Sequence, residues 1–169
     1  MKKKTRKKLL QILFFLIKLN LLALPLYILI FLDFSYPPLQ NFVAFLSYKL
    51  LSFFGIQASL NQSTLTAAMG FKIFFIDISM DCTGWKSLYT LFALTIATPG
   101  IKLKRKLIFL VLSLPSLFLF NILRIVATVY LSLLEPEVFA FVHDILWSWG
   151  LVVAILGFWV IWLKIEKRI

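Results

Sequence analysis

Residues 9–32 hold a single formal charge, Lys18; residues 107–134 hold a single one, Arg124; and residues 145–163 hold none. A helix crosses the hydrocarbon of a bilayer with about 20 residues, so each run is long enough to span. Two shorter apolar stretches accompany them, 39–54 and the segment from Trp85 to about Thr98 and Pro99. The whole chain of 169 residues is 62% hydrophobic and 15% charged. Soluble domains carry about 25% charge, and a chain of this size has too little polar surface to cover such a composition. A soluble enzyme, a disordered chain and a disulfide scaffold are therefore excluded.

The charges set an orientation. Lys plus Arg is 18 against 7 acidic residues. The basic residues gather in the tail MKKKTRKK, in the loop PGIKLKRK with Lys102, Lys104, Arg105 and Lys106, and at Lys164, Lys167 and Arg168. This is the positive-inside pattern and not a nucleic-acid surface. All three clusters are expected on the cytoplasmic side. The first run then crosses outward, the third inward, the fourth outward and the last inward. That parity holds only if 39–54, interrupted by Gln40, Asn41, Ser47, Tyr48 and Lys49, does not cross fully. It is expected as an amphipathic or re-entrant helix at the outer surface. The first run is too long and lacks the small-residue site of a cleaved leader, so a retained anchor is expected.

Residues 58–80 differ. ASLNQSTLTAAMG is polar, and FKIFFIDIS is rich in β-branched and aromatic residues, which predicts a small outer β-hairpin. Asn61-Gln62-Ser63 also matches the N-glycosylation pattern, which is common by chance. The expected fold is an all-α polytopic membrane protein. It is a small transmembrane helical bundle of about four spanning helices plus one interfacial or re-entrant helix, with a short extracytoplasmic β-hairpin. Residues 1–8 form a basic cytoplasmic tail and 9–169 one transmembrane domain.

With so few polar residues, those near the membrane are informative. The single Cys cannot form an internal disulfide and the single His cannot form a His-cluster metal site, so no metal and no cofactor are expected. Asp81 or Thr83 is placed as the N-cap of the third helix. Cys82 then lies at a helix N-terminus with Lys86 one turn on, and both favour a thiolate. The blander alternative is a small buried hydrophobe. Arg124 lies about 25 Å up its helix from Leu107, at the outer boundary. Asn121, Arg124 and Thr128 share one face by their spacing. An Arg snorkelling to head groups is the plain alternative, and the aligned Asn121 favours an inward site. His143 precedes the last helix on the same side and is a candidate proton carrier, though a lone His is more often structural. Cys82 as nucleophile, His143 as acid and base, and Arg124 at a carbonyl or oxyanion, with Asn121 supporting Arg124, would perform acyl transfer through a thioester.

Cys82-Thr83-Gly84, Asn121-Ile122-Leu123-Arg124 and His143, in this order on successive helices, resemble the exosortase/archaeosortase family over residues 73–150. The resemblance implies a polytopic membrane cysteine transpeptidase with Cys82, Arg124 and His143 as its catalytic trio. It implies substrates that are secreted proteins with a C-terminal tail of short motif, transmembrane helix and basic cluster. The new C-terminus would pass to a membrane lipid or surface acceptor, and nucleic acid has no part. The chain has fewer helices than larger members and no appended domain. On the residues alone two other classes stay open. One is a non-catalytic membrane scaffold or transport subunit, and the other is an acyltransferase carrying a lipid acyl group on Cys82.

Overall fold

The computed structural model describes residues 3–135 and 149–166. In chain order the elements are α1 (Lys3–Phe31), α2 (Pro37–Phe53), β1 (Gln57–Asn61), β2 (Thr64–Met69), β3 (Lys72–Asp77), a 3-10 turn (Met80–Thr83), α3 (Trp85–Ala97), α4 (Leu103–Leu134) and α5 (Leu151–Glu166). They fall into two units. One holds Met1–Phe34, Lys86–Pro115 and Ile155–Ile169; the other holds Ser35–Trp85 and Ser116–Ala154. Two helices, α1 and α4, are long and apolar enough to cross a membrane. At about 1.5 Å per residue α4 is about 48 Å long, whereas the 13 residues of α3 reach about 20 Å. Of the four expected crossings, helix length and composition support two among the described residues. Helix α1 begins at Lys3, so the basic tail is helical from there.

In the first unit, several polar groups on apolar helices are satisfied locally, while the Ser113 hydroxyl on α4 is buried without a hydrogen-bond partner among the described residues. Asn20 donates to the carbonyl of Leu16 (2.8 Å). Thr90, Thr95 and Thr98 each donate to the carbonyl four residues back. Such back-bonding hides a hydroxyl that lipid would otherwise face unpaired. Pro25 lies inside α1 and loosens its turn; the Tyr89 hydroxyl donates to the Leu22 carbonyl there (2.7 Å). Phe15 stacks on Trp159, and Phe109 on Trp162. Lys106 is buried, and its ammonium donates to the carbonyls of Ile96 and Thr98 at the end of α3 (2.6 Å each). One of the four basic loop residues thus closes a helix C-terminus, where a cation is favoured. Trp159 Nε1 donates to the Thr98 hydroxyl (3.0 Å).

In the second unit, β1, β2 and β3 form an antiparallel meander in the order β1-β2-β3. The expected hairpin is thus a three-stranded sheet, because the polar stretch 58–69 folds into a hairpin of its own. Asn61 pairs with Thr64 and Met69 with Lys72, so both connections are two-residue loops. Gln62 and Gly70, first in each loop, have positive φ, the pattern of type II′ turns that match strand twist. Asn61 is exposed at the end of β1, and the Ser63 hydroxyl donates to Asp77 Oδ1 (2.7 Å).

One sheet face carries Ala58, Leu60, Leu65, Ala67, Phe74 and Ile76 into a core with Val43, Ala44 and Leu51 of α2 and Ile122, Ile125, Val126, Val129 and Leu133 of α4. Helix α2 buries Val43, Ala44, Ser47 and Leu51, a single stripe, after Pro37 and Pro38 open its first turn. Phe42 stacks on Phe118 of α4. Leu46 and Leu50 line a groove with Phe118, Leu119 and Ile122, and Phe54 lines another with Leu123, Val126 and Tyr130. These contacts set α2 against the Phe118–Tyr130 part of α4.

Lys106→Met should lower the unfolding midpoint in detergent more than Arg105→Gln does. The first removes two charge-assisted hydrogen bonds from a buried helix end, each worth about 1.5–3 kcal/mol. The second breaks the half-exposed Arg105–Glu166 pair (2.8 Å), worth at most about 1 kcal/mol. Equal shifts in a thermal melt would refute the capping role.

Candidate active site

The Cys82 segment follows β3 without a flexible link. Ile78 N–H donates to the Ser63 carbonyl (3.0 Å) and Ser79 N–H to the Asp77 carbonyl (3.1 Å). The chain then makes one 3-10 turn. Cys82 N–H donates to the Ser79 carbonyl (3.0 Å), and the buried Thr83 hydroxyl donates to the Met80 carbonyl (2.7 Å). Gly84 ends the turn in the left-handed region, with φ of +76°. Only after it does α3 begin, at Trp85. This corrects the expected placement. Thr83 spends its hydroxyl inside the 3-10 turn and caps nothing on α3. Cys82 therefore lies ahead of α3, outside its first turn. The thiol is half-buried, and Ser79 Oγ stands 3.4 Å from Sγ.

On α4, Asn121, Arg124 and Thr128 are 1%, 8% and 5% exposed, so the stripe read from spacing faces inward. Ser132 extends it one turn further. The hydroxyls of Thr128 and Ser132 donate to the carbonyls of Arg124 and Thr128, four residues back, so they are satisfied within the helix. Asn121 reaches the cysteine's turn. Its Nδ2 donates to the Cys82 carbonyl (2.9 Å), so it holds the cysteine's backbone. Arg124 lies within electrostatic reach of the Cys82 thiol.

Cys82 and Asn121 thus meet inside the second unit, with Arg124 one helical turn beyond Asn121 on the same buried face. Lys86, the second residue of α3, is grouped with the first unit, and its carbonyl accepts from Thr90. His143 lies outside the described residues. Among the described residues no cluster of three His, Cys, Asp or Glu side chains could hold a metal. Two contributors were not singled out by sequence reasoning. Ser79 carries the i, i+3 spacing of a turn-opening serine before Cys82. Gly84 is needed at a close approach that only the fold reveals. A Cβ built there would stand 2.9 Å from Asn121 Cγ.

The arrangement presents a thiol on a pinned turn, tied through Asn121 to the helix face that carries a buried guanidinium. A guanidinium is permanently charged and aims several N–H groups, which suits a developing oxyanion.

Gly84→Ala should therefore do more harm than Gly70→Ala. Both positions have positive φ, and an Ala there costs about 1–2 kcal/mol of backbone strain. At Gly70 nothing lies within 4 Å of the new Cβ, whereas at Gly84 it collides with Asn121. The Gly84 variant should show the larger loss of thermal stability and a faster-alkylating, less ordered Cys82. Indistinguishable melts for the two variants would contradict the close packing of Gly84 on Asn121.

A model of the transmembrane exosortase family matches residues 5–163. No curated protein and no solved structure matches the chain. The matched stretch runs from the first turns of α1 to the last turns of α5 and takes in Cys82, Asn121 and Arg124. By that match over nearly its whole length, the chain is a membrane protein of the transmembrane exosortase family.

Proposed function

We propose that this chain is a membrane-embedded cysteine transpeptidase that cuts the C-terminal sorting tail of secreted proteins. The observation that carries the reading is the Asn121 bond to the Cys82 carbonyl, which ties the cysteine's turn to the α4 face that carries buried Arg124. In this reading the Cys82 thiolate attacks the carbonyl carbon of the scissile peptide. The carbonyl π electrons move to oxygen, and Arg124 faces the resulting oxyanion. Collapse expels the amine, which takes a proton from His143, and leaves a thioester on Cys82. Neutral His143 then takes a proton from the acceptor, which attacks the thioester and expels Cys82 as the thiolate; His143 ends protonated, as it began.

The remaining parts of the proposal follow from charge and length. Both termini and the basic loop face the cytoplasm, four segments cross, and the site lies at the extracytoplasmic interface. Helix α2 is the interfacial or re-entrant element at the outer surface. A sorting tail is itself a helix with a basic inner end, so its cleavage site would reach the same level as Cys82. The acceptor is a membrane lipid or a surface nucleophile.

Cys82→Ala should abolish processing of a co-expressed secreted protein bearing such a tail, with normal amounts of enzyme in the membrane. Arg124→Lys keeps the charge and loses the planar fork, so the rate should fall at least about 10²-fold, the scale of one oxyanion donor. Both are read from the ratio of cut to uncut substrate. Processing that persists in Cys82→Ala overturns the reading, and near-normal processing in Arg124→Lys removes Arg124 from the oxyanion.

A further inference from the structure

The Cys82 thiol has a polar neighbour that the reaction above does not use. Ser79 places its hydroxyl oxygen within hydrogen-bond distance of Sγ, at 3.4 Å. Its position is not left to chance. Ser79 N–H is held by the Asp77 carbonyl, at the end of β3, and the Ser79 carbonyl receives Cys82 N–H. Asp77 is itself fixed, since its carboxylate accepts from the Ser63 hydroxyl (2.7 Å) and from Thr64 (3.5 Å). The sheet thus delivers one hydroxyl to the nucleophile.

We propose that Ser79 is a thiolate-holding residue: its hydroxyl donates to Cys82 Sγ and stabilises the charged form both before attack and when the thioester breaks. The proposal rests on Cys82 being the nucleophile and names a residue that tunes it. A hydrogen bond donated to the ionised form of a group favours that form. Ser79 is suited to this because a hydroxyl is a donor that adds no charge of its own, beside an Arg124 that supplies the charge. The other charged or titratable groups on the packed elements of this unit are Arg124 and Tyr130 on α4, Tyr48 and Lys49 on α2, Lys72 and Asp77 on β3 and Asp81 on the turn, with Lys86 following on α3. Of these, Lys49 lies over the rings of Phe45 and Tyr48, and Asp77 is engaged by Ser63 and Thr64. The backbone bond from Cys82 to the Ser79 carbonyl survives in Ser79→Ala, so that variant removes the hydroxyl and leaves the turn.

The test is the pH dependence of thiol alkylation on the full-length enzyme in detergent, using iodoacetamide. The chain has one Cys, so all signal comes from Cys82. Ser79→Ala should move the alkylation midpoint up by about one pH unit, because the lost bond is to a charged group in a partly open site. Below both midpoints its alkylation should then be about tenfold slower, since the thiolate fraction there falls about tenfold when the midpoint rises by that much. Ser79→Thr keeps the hydroxyl and should hold the midpoint of the parent. Processing by Ser79→Ala should fall at neutral pH and recover as pH rises, which a merely loosened turn would not do. A midpoint unchanged in Ser79→Ala, or raised equally in Ser79→Thr, overturns the proposal. Failure of the transpeptidase reading shows separately, as processing by Cys82→Ala, while the alkylation midpoint still reports on Ser79.

Discussion

Asn121 donates its side-chain amide to the carbonyl of Cys82, and the candidate site depends on that bond. Asn121 sits on the second half of α4 and is almost wholly buried; Cys82 sits on a short turn that follows a sheet. A buried amide that lost this partner would cost about 1–3 kcal/mol, so the bond is strongly held. It is possible only because Gly84 has no side chain where Asn121 lies and adopts a left-handed conformation there. Three adjoining residues, Cys82, Thr83 and Gly84, therefore have separate tasks. The first carries the thiol, the second closes the turn on Met80, and the third lets α4 approach. Arg124 lies one turn beyond Asn121 on the same buried face.

Many polar groups elsewhere in the chain meet the demand that lipid places on them. The hydroxyls of Thr90, Thr95 and Thr98 fold back on carbonyls of their own helix, and Lys106 occupies the open end of α3. These are inexpensive solutions because each uses a backbone carbonyl already near at hand. The site is built on a different plan. There a side chain on α4 reaches a backbone group 39 residues away in sequence. Such long-range bonds fix geometry, which catalysis needs more than stability does.

Much of this was legible in the residues. The apolar runs mark α1 and α4, since crossing length is a simple count. The 3.6-residue spacing of Asn121, Arg124 and Thr128 shows their shared inward face. The sheet was only half legible. Lys72 to Asp77 alternates clearly, but the first loop, Gln62-Ser63, lacks the Gly or Asn-Gly that signals a hairpin, and β1 and β2 read as one polar stretch. The ending of the turn at Gly84 could not be read, because Thr83 has the chemistry of a cap and its actual partner, the Met80 carbonyl, is set by the turn itself. Asn121 was visible as a buried amide, but its partner lies on another element, and helix spacing says nothing about that. Ser79 was silent for the same reason: its hydroxyl matters through a three-dimensional approach to sulfur.

The central claim is that Cys82 is acylated by the substrate during turnover. The direct measurement is the mass of the proteolytic peptide carrying Cys82, taken from enzyme quenched in acid while it processes a protein with a sorting tail. The account predicts the processed C-terminus attached to Cys82 through a hydroxylamine-labile bond. The adduct should be enriched in His143→Ala if that residue serves mainly to activate the acceptor. Cleavage of the substrate that continues after the Cys82 thiol has been fully blocked by alkylation would contradict it.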